Sequence, residues 1–134
     1  MRTQLSFAAA DRLHRSAEFL RLQRSGVRFE SPHFVVYAGN LAGYPDDGPA
    51  RARLGVTVSR RVGIAVVRNR VKRRVREIFR RVIRDNLPAG ASIVVIARAG
   101  AATLESPAID NELTMAVRNL SGRMAAKGAF AGRN

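Results

Sequence analysis

Cysteine is absent from the 134 residues, which removes disulfides, thiolate metal sites and cysteine nucleophiles together. The absence fits a reducing compartment, and a cytoplasmic protein is expected. Tryptophan is also missing, and six Phe and two Tyr are the whole aromatic inventory, so any stacking chemistry must come from very few positions. No apolar run approaches the roughly 20 residues that cross a bilayer. Met1 to Ala10 lacks the apolar core of about 7–15 residues that marks a signal peptide. Acids are scarce as well, with 10 Asp and Glu against 24 Lys and Arg, a net charge of +14 and a pI near 11.8.

What is present follows from that imbalance. Only Lys72 and Lys127 are lysines. The remaining cations are arginines, whose planar fork pairs bidentately with phosphate and stacks on bases. They are clustered: Arg51 to Arg98 holds 14 cations, with Glu77 and Asp85 as its acids. An apolar fraction of 46% is ordinary for a folded chain. The length suits one domain, expected over residues 1–124, with a small-residue tail at 125–134 expected to be disordered.

The segment from Ser16 to Gly26 reads as a short helix, with Ser16 as N-cap and Gly26 as the residue after its end. His33 to Ala38 reads as a strand, Asn40 to Ala50 as a loop of turn formers, and Arg53 to Ser59 as a second strand. Those two strands could pair as a long-looped hairpin. Ile64 to about Asn86 is the longest helix, and Ser92 to Ala97 is a third strand, apolar enough to be central in a sheet. Ser106 and Pro107 then open a last helix, with Leu113, Val117 and Leu120 on one face. Helices on one small sheet make an α+β protein, a two-layer α/β sandwich.

The informative segment runs from Arg68 to Arg84. At about 100° per residue, Val71, Val75, Ile78, Phe79, Val82 and Ile83 fall in a stripe roughly 140° wide, the pattern of a helix docked on a core. A docked helix with a solvated charged face would also show this. A solvated face usually mixes signs, however, because like charges one turn apart destabilise a helix. Here Glu77 is the sole acid among nine cations, and an anionic partner is the simplest compensation. Arg68 and Lys72 also fall at the angles of Val75 and Phe79, so the first turns should project beyond the core and carry Arg68, Asn69, Lys72 and Arg76 toward that partner. A helix N-terminus offers free N–H groups to phosphate, and Ser59, Arg60 and Arg61 lie just before it. Nucleic-acid binding is therefore read from the residues alone.

The series Arg68, Asn69, Arg70, Lys72, Arg73, Arg76 resembles the Arg-Asn-Arg signature of bacterial ribonuclease P proteins. Leu54 to Arg61, the connector Val62, Gly63, Ala65 and Val66, and Ile93 to Arg98 are similar to neighbouring segments of that family. Upstream, Arg12, Leu13, Ser16 and Phe19 resemble its first helix, and His33 to Tyr37 its strand. The resemblance spans about Arg12 to Leu120, and Ile64 departs from it where the family often has Asn. It implies an α-β-β-(β)-α-β-α order with a left-handed βαβ crossover, as in ribosomal protein S5 domain 2, against the usual right-handed rule. It also implies a non-catalytic subunit of an endoribonuclease that removes the 5′ leader of precursor tRNA. Arg60, Arg61, Arg68, Asn69, Arg70, Lys72, Arg73 and Arg76 would bind the ribonuclease P RNA. A cleft between first helix and sheet would hold the leader on Phe19 and Tyr37, with Gln23 in place of an aromatic. Phe34 is expected in the core.

The chain offers no catalytic residues of its own. His14 and His33 are isolated in sequence from each other and from carboxylate-rich motifs, Asp46 and Asp47 sit in a turn-rich loop, and no acid/base pair for phosphodiester hydrolysis stands out. Mg²⁺ is expected mainly on the RNA, with Asn69 a candidate to contact a metal-bound water. Neither DNA nor a membrane is expected as a partner. A ribosomal or other structural RNA-binding protein would share the charge and size but not the ordered series of motifs.

Overall fold

The computed structural model describes residues 16–40, 52–87 and 91–127. They form α1 (Ser16–Ser25), β1 (Val27–Glu30), β2 (Phe34–Asn40), β3 (Arg53–Val58), α2 (Ala65–Ile78), β4 (Ala91–Ala97) and α3 (Ser106–Lys127). The order is that of the resemblance with its optional strand filled. That strand is β1, which the residue-level reading passes over. Val27 and Phe29 face inward and Arg28 and Glu30 outward, a valid strand alternation that four residues make easy to miss.

The sheet order is β1-β2-β4-β3. The expected hairpin of β2 with β3 is therefore wrong. β4 lies between them, antiparallel to β2 with Tyr37 opposite Val94, and parallel to β3 with Gly55 opposite Val94. The physical reason lies in β4 itself: Ala91 to Ala97 has no polar face to leave in water, and only a central position buries both sides. The alternating Leu54, Val56 and Val58 are satisfied at an edge, with one face turned inward.

Side-chain parity then sorts the layers. Phe34, Val36, Ala38, Leu54, Val58, Ile93 and Val95 join the main core with Val71, Val75, Phe79 and Ile83 of the long helix and Ile109, Leu113, Val117, Leu120 and Met124 of α3. Val94, Ile96 and Tyr37 point to the opposite face and meet Leu22 of α1. So α1 packs alone on the second face, and the two-layer expectation gives way to helix, sheet, helices. Phe34 is fully buried, as expected.

Two helix boundaries also differ. The long basic helix is α-helical only to Ile78; it continues as a wider π turn over Phe79–Ile83 and a 3₁₀ turn over Arg84–Asn86. α3 runs to Lys127, past the boundary expected after Met124; residues 128–134 of the expected tail, like His14, Asp46 and Asp47, lie outside the described residues.

Gly26 follows α1 as expected, but not for a left-handed backbone: among the described residues positive φ occurs only at Gly100. A Cβ at Gly26 would stand 2.5 Å from the Ala38 carbonyl oxygen and 2.7 Å from that of Leu22. Gly39 on β2 faces the same junction, its would-be Cβ 3.0 Å from Leu22 Cδ2 and 3.3 Å from Gly26 Cα. Two bare backbones thus let the end of α1 sit directly on the sheet.

Candidate nucleic-acid interface

The start of α2 is open. Its N-cap position is Ile64, which makes no side-chain cap, and no acid lies in the first turn. The first backbone bond runs from the Arg68 amide to the Ile64 carbonyl at 2.9 Å, so the preceding N–H groups are available to an anion. Ile64 and Val66 are each 71% exposed, so the very start of the helix leaves the core, whereas Arg68, Lys72 and Arg76, expected to project with it, are half-buried. Arg60 and Arg61 form an exposed 3₁₀ turn just ahead.

Along α2, Asn69, Arg70 and Arg73 are exposed, while Arg68, Lys72 and Arg76 are half-buried one helical flank away. All eight residues singled out therefore fall on one turn and one helix. Three ion pairs of the basic helix fall on cations outside that set. Glu77 takes Arg74 at 2.7 Å and Arg80 at 3.9 Å, and Asp110 takes Arg81 at 3.3 Å. Glu77 therefore offsets Arg74 and Arg80 in part, and the first turn of the helix holds no acid. Arg68 Nε is buried without a hydrogen-bond partner among the described residues, a donor whose desolvation is uncompensated.

The second candidate surface is on the other side of the sheet. Tyr37 is half-buried on the face covered by α1, next to Val94 and Ile96. Arg28, directly opposite it on β1, donates from Nε to the Tyr37 hydroxyl at 3.2 Å and sets its guanidinium 5.9 Å from the ring centroid. That hydrogen bond, followed by the Glu30 carboxylate, raises the already high pKa of Arg28. Phe19 belongs to α1; its side chain lies outside the described residues. Gln23 is exposed.

Sequence reasoning missed one polar cluster. Glu112 of α3 accepts from the His33 amide at 2.8 Å, the His33 ring Nδ1 at 3.0 Å and the Ser31 hydroxyl. His33 is thus not isolated from carboxylates; its partner is simply 79 residues away. Burial alone would raise the Glu112 carboxyl, but the Ser31 and His33 hydrogen bonds outweigh it and hold it below the usual carboxylate range. With three donors converging on it, Glu112 fastens the β1–β2 turn to α3. The Ser31 hydroxyl is turned to Glu112 and to the Phe34 carbonyl rather than to the imidazole, so these three side chains do not form a nucleophile–base–acid relay.

Comparisons with known proteins agree with this geometry. The ribonuclease P family profile matches residues 7–121. A ribonuclease P protein component from Desulfovibrio desulfuricans is 40% identical over 90% of this chain and 91% of its own. Among solved structures, the RNase P protein of Staphylococcus aureus superposes with a TM-score of 0.70 at 32% identity, covering 81% of this chain and 94% of that one. The RNase P protein of Thermotoga maritima gives a TM-score of 0.65 at 32% identity, covering 80% and 96%. A chain whose basic helix, flanking strands and whole fold align with these proteins over most of their length belongs to the ribonuclease P protein component family.

Proposed function

We propose that this chain works as the non-catalytic protein subunit of ribonuclease P, assisting the catalytic RNA in removing the 5′ leader of precursor tRNA. Arg60, Arg61, Arg68, Asn69, Arg70, Lys72, Arg73 and Arg76 hold the ribonuclease P RNA, and Phe19 and Tyr37 line the cleft for the single-stranded leader. The observation that carries the RNA assignment is the open, uncapped start of the basic helix, which holds no acid in its first turn and follows the exposed Arg60 and Arg61, while Glu77 and Asp110 pair with Arg74, Arg80 and Arg81. Phosphates there meet N–H groups, the helix dipole and guanidinium forks together, and an acceptor reaching Arg68 would relieve its orphaned Nε. In the cleft, an aromatic face beside a cation stacks on unpaired bases with little sequence preference, as leaders of many sequences require.

The protein's donors do not fit a resident metal. Among the described residues no three of His, Asp and Glu come together, and Glu30, Glu77 and Asp110 are each engaged by arginine. Following the family resemblance, Mg²⁺ is assigned mainly to the RNA, and the protein's part is to screen phosphates and hold substrate. A left-handed β3-α2-β4 crossover, a single domain that includes α3 to Lys127 with a short tail after it, and a cytoplasmic site complete the proposal. The parallel pairing of β3 with β4 requires a crossover through α2, and its left hand is taken from the family resemblance. No described helix is long and apolar enough to cross a membrane.

Reconstitution tests the assignment. Added to its cognate RNA at low Mg²⁺, the purified protein should raise leader cleavage about tenfold or more, a barrier change of ~1.4 kcal/mol. RNA binding without stimulation would instead mark a structural RNA-binding protein.

A further inference from the structure

The cleft does not end at Tyr37. Arg28 Nη2 pairs with Glu30 Oε1 at 3.2 Å, and the other oxygen of Glu30 receives Arg98 Nη1 at 2.6 Å. Arg98 Nη1 also donates to the Ser31 carbonyl at 3.2 Å, which ties its guanidinium to the turn between β1 and β2. The register puts Arg28 opposite Tyr37 and Glu30 opposite Val35, so this row lies on the α1 face and runs from Tyr37 out to the sheet edge. Two cations share one carboxylate, leaving the group net positive, and the three side chains are 49%, 44% and 42% exposed. Of the five N–H donors on each guanidinium, most have no partner among the described residues.

A purely structural reading would make these edge-strand ion pairs, devices that keep β1 from pairing with another chain and contribute little stability. That reading accounts for charge at the edge, but not for the Arg28 bond to the hydroxyl of the one described tyrosine in the cleft. By donating to the phenol oxygen, Arg28 restrains the ring and leaves the Tyr37 O–H proton for another acceptor. Glu30 meanwhile holds two guanidinium forks beside each other at the mouth.

We propose that Arg28 and Arg98, spaced by Glu30, form a phosphate-binding extension of the leader cleft across β1, gripping the leader backbone beyond the base stacked on Tyr37. This rests on the leader-cleft reading above. In it, Arg28 has two parts, as a positioning residue for Tyr37 and as a phosphate ligand; Arg98 is a phosphate ligand only.

The test measures binding of the assembled holoenzyme to precursor tRNAs with leaders of about two and about ten nucleotides, a range bracketing single-strand site sizes of ~4–16. Arg98→Ala and Arg28→Ala should each weaken the long-leader substrate several-fold and leave the short-leader substrate unchanged. Arg98→Lys should retain most of the affinity, and each Ala variant should lower the salt slope for the long leader by about 0.7. Unaltered thermal unfolding of the free variants excludes misfolding as the cause. Equal losses on both substrates, or no loss on the long one, would overturn the extension. Tyr37→Ala run in parallel separates the two levels. If it alone discriminates between leaders, the cleft stands and the extension falls; if it does not discriminate, the cleft reading falls and takes the extension with it.

Discussion

At the scale of single residues, the informative side chains are those whose partners are far away in sequence. Glu112 accepts three hydrogen bonds from the β1–β2 turn, and its carboxyl is held below the usual range. A depressed folded-state pKa contributes stability that is present above the unfolded value, about 4.3 for Glu, and is lost as pH falls through the folded one. Glu112→Gln should therefore destabilise the protein by roughly 1–3 kcal/mol at neutral pH. The gap to the parent should narrow in urea titrations below about pH 4; a constant gap would disprove the linkage. Nothing at Ser31 or His33 announces this in sequence, because neither sits at a motif spacing from Glu112. Tyr37 was legible for a different reason: it alternates with Val36 and Ala38 in a strand, and its hydroxyl disfavours full burial.

At the scale of elements, α1 is the weak link, and its weakness has a definite anchor. Ten residues are too few for a stable isolated helix, and among the described side chains of α1 the one buried against the sheet is Leu22, 1% exposed against Val94, Tyr37 and Ile96. Leu22→Ala removes contacts worth about 2–4 kcal/mol. That exceeds what α1 can supply alone, so the helix should undock while the sheet stays folded. Hydrogen exchange should rise over residues 16–25 and stay slow in β4, with leader binding reduced and binding to the RNA subunit kept. Uniformly faster exchange would show instead that α1 belongs to the cooperative core. The helices and β4 could be read from periodicity and apolar runs. Their pairing could not: local patterns report what each strand buries, whereas the insertion of β4 between β2 and β3 depends on which strand needs cover on both faces. The change to a π turn at Phe79 left no local signal either, since the apolar stripe continues through it.

At the scale of the whole molecule, charge is sorted rather than merely abundant. The +14 balance implied nucleic acid from composition alone, and the basic helix was legible because its single acid is so conspicuous. Which arginines that acid pairs with became visible only in the folded chain. The prediction is a steep salt dependence for binding the RNA subunit. Arg68→Ala with Arg70→Ala should flatten the log–log slope by roughly 1.5–2 without lowering the unfolding midpoint, whereas Arg74→Ala, already paired with Glu77, should change the slope far less. Equal changes at both places would mean that position on the helix is irrelevant.

The placement of α1 and α2 on opposite faces of one sheet has a further consequence for this charge pattern. On the proposed assignment, with the ribonuclease P RNA along α2 and the leader beside α1, two polyanions would approach the same small protein from opposite sides. The layer between them is at least as thick as the ~10 Å between packed layers, about one Debye length at physiological ionic strength. The sheet would then be a spacer that holds two phosphate backbones apart on one cationic body, whose own positive charge offsets their mutual repulsion.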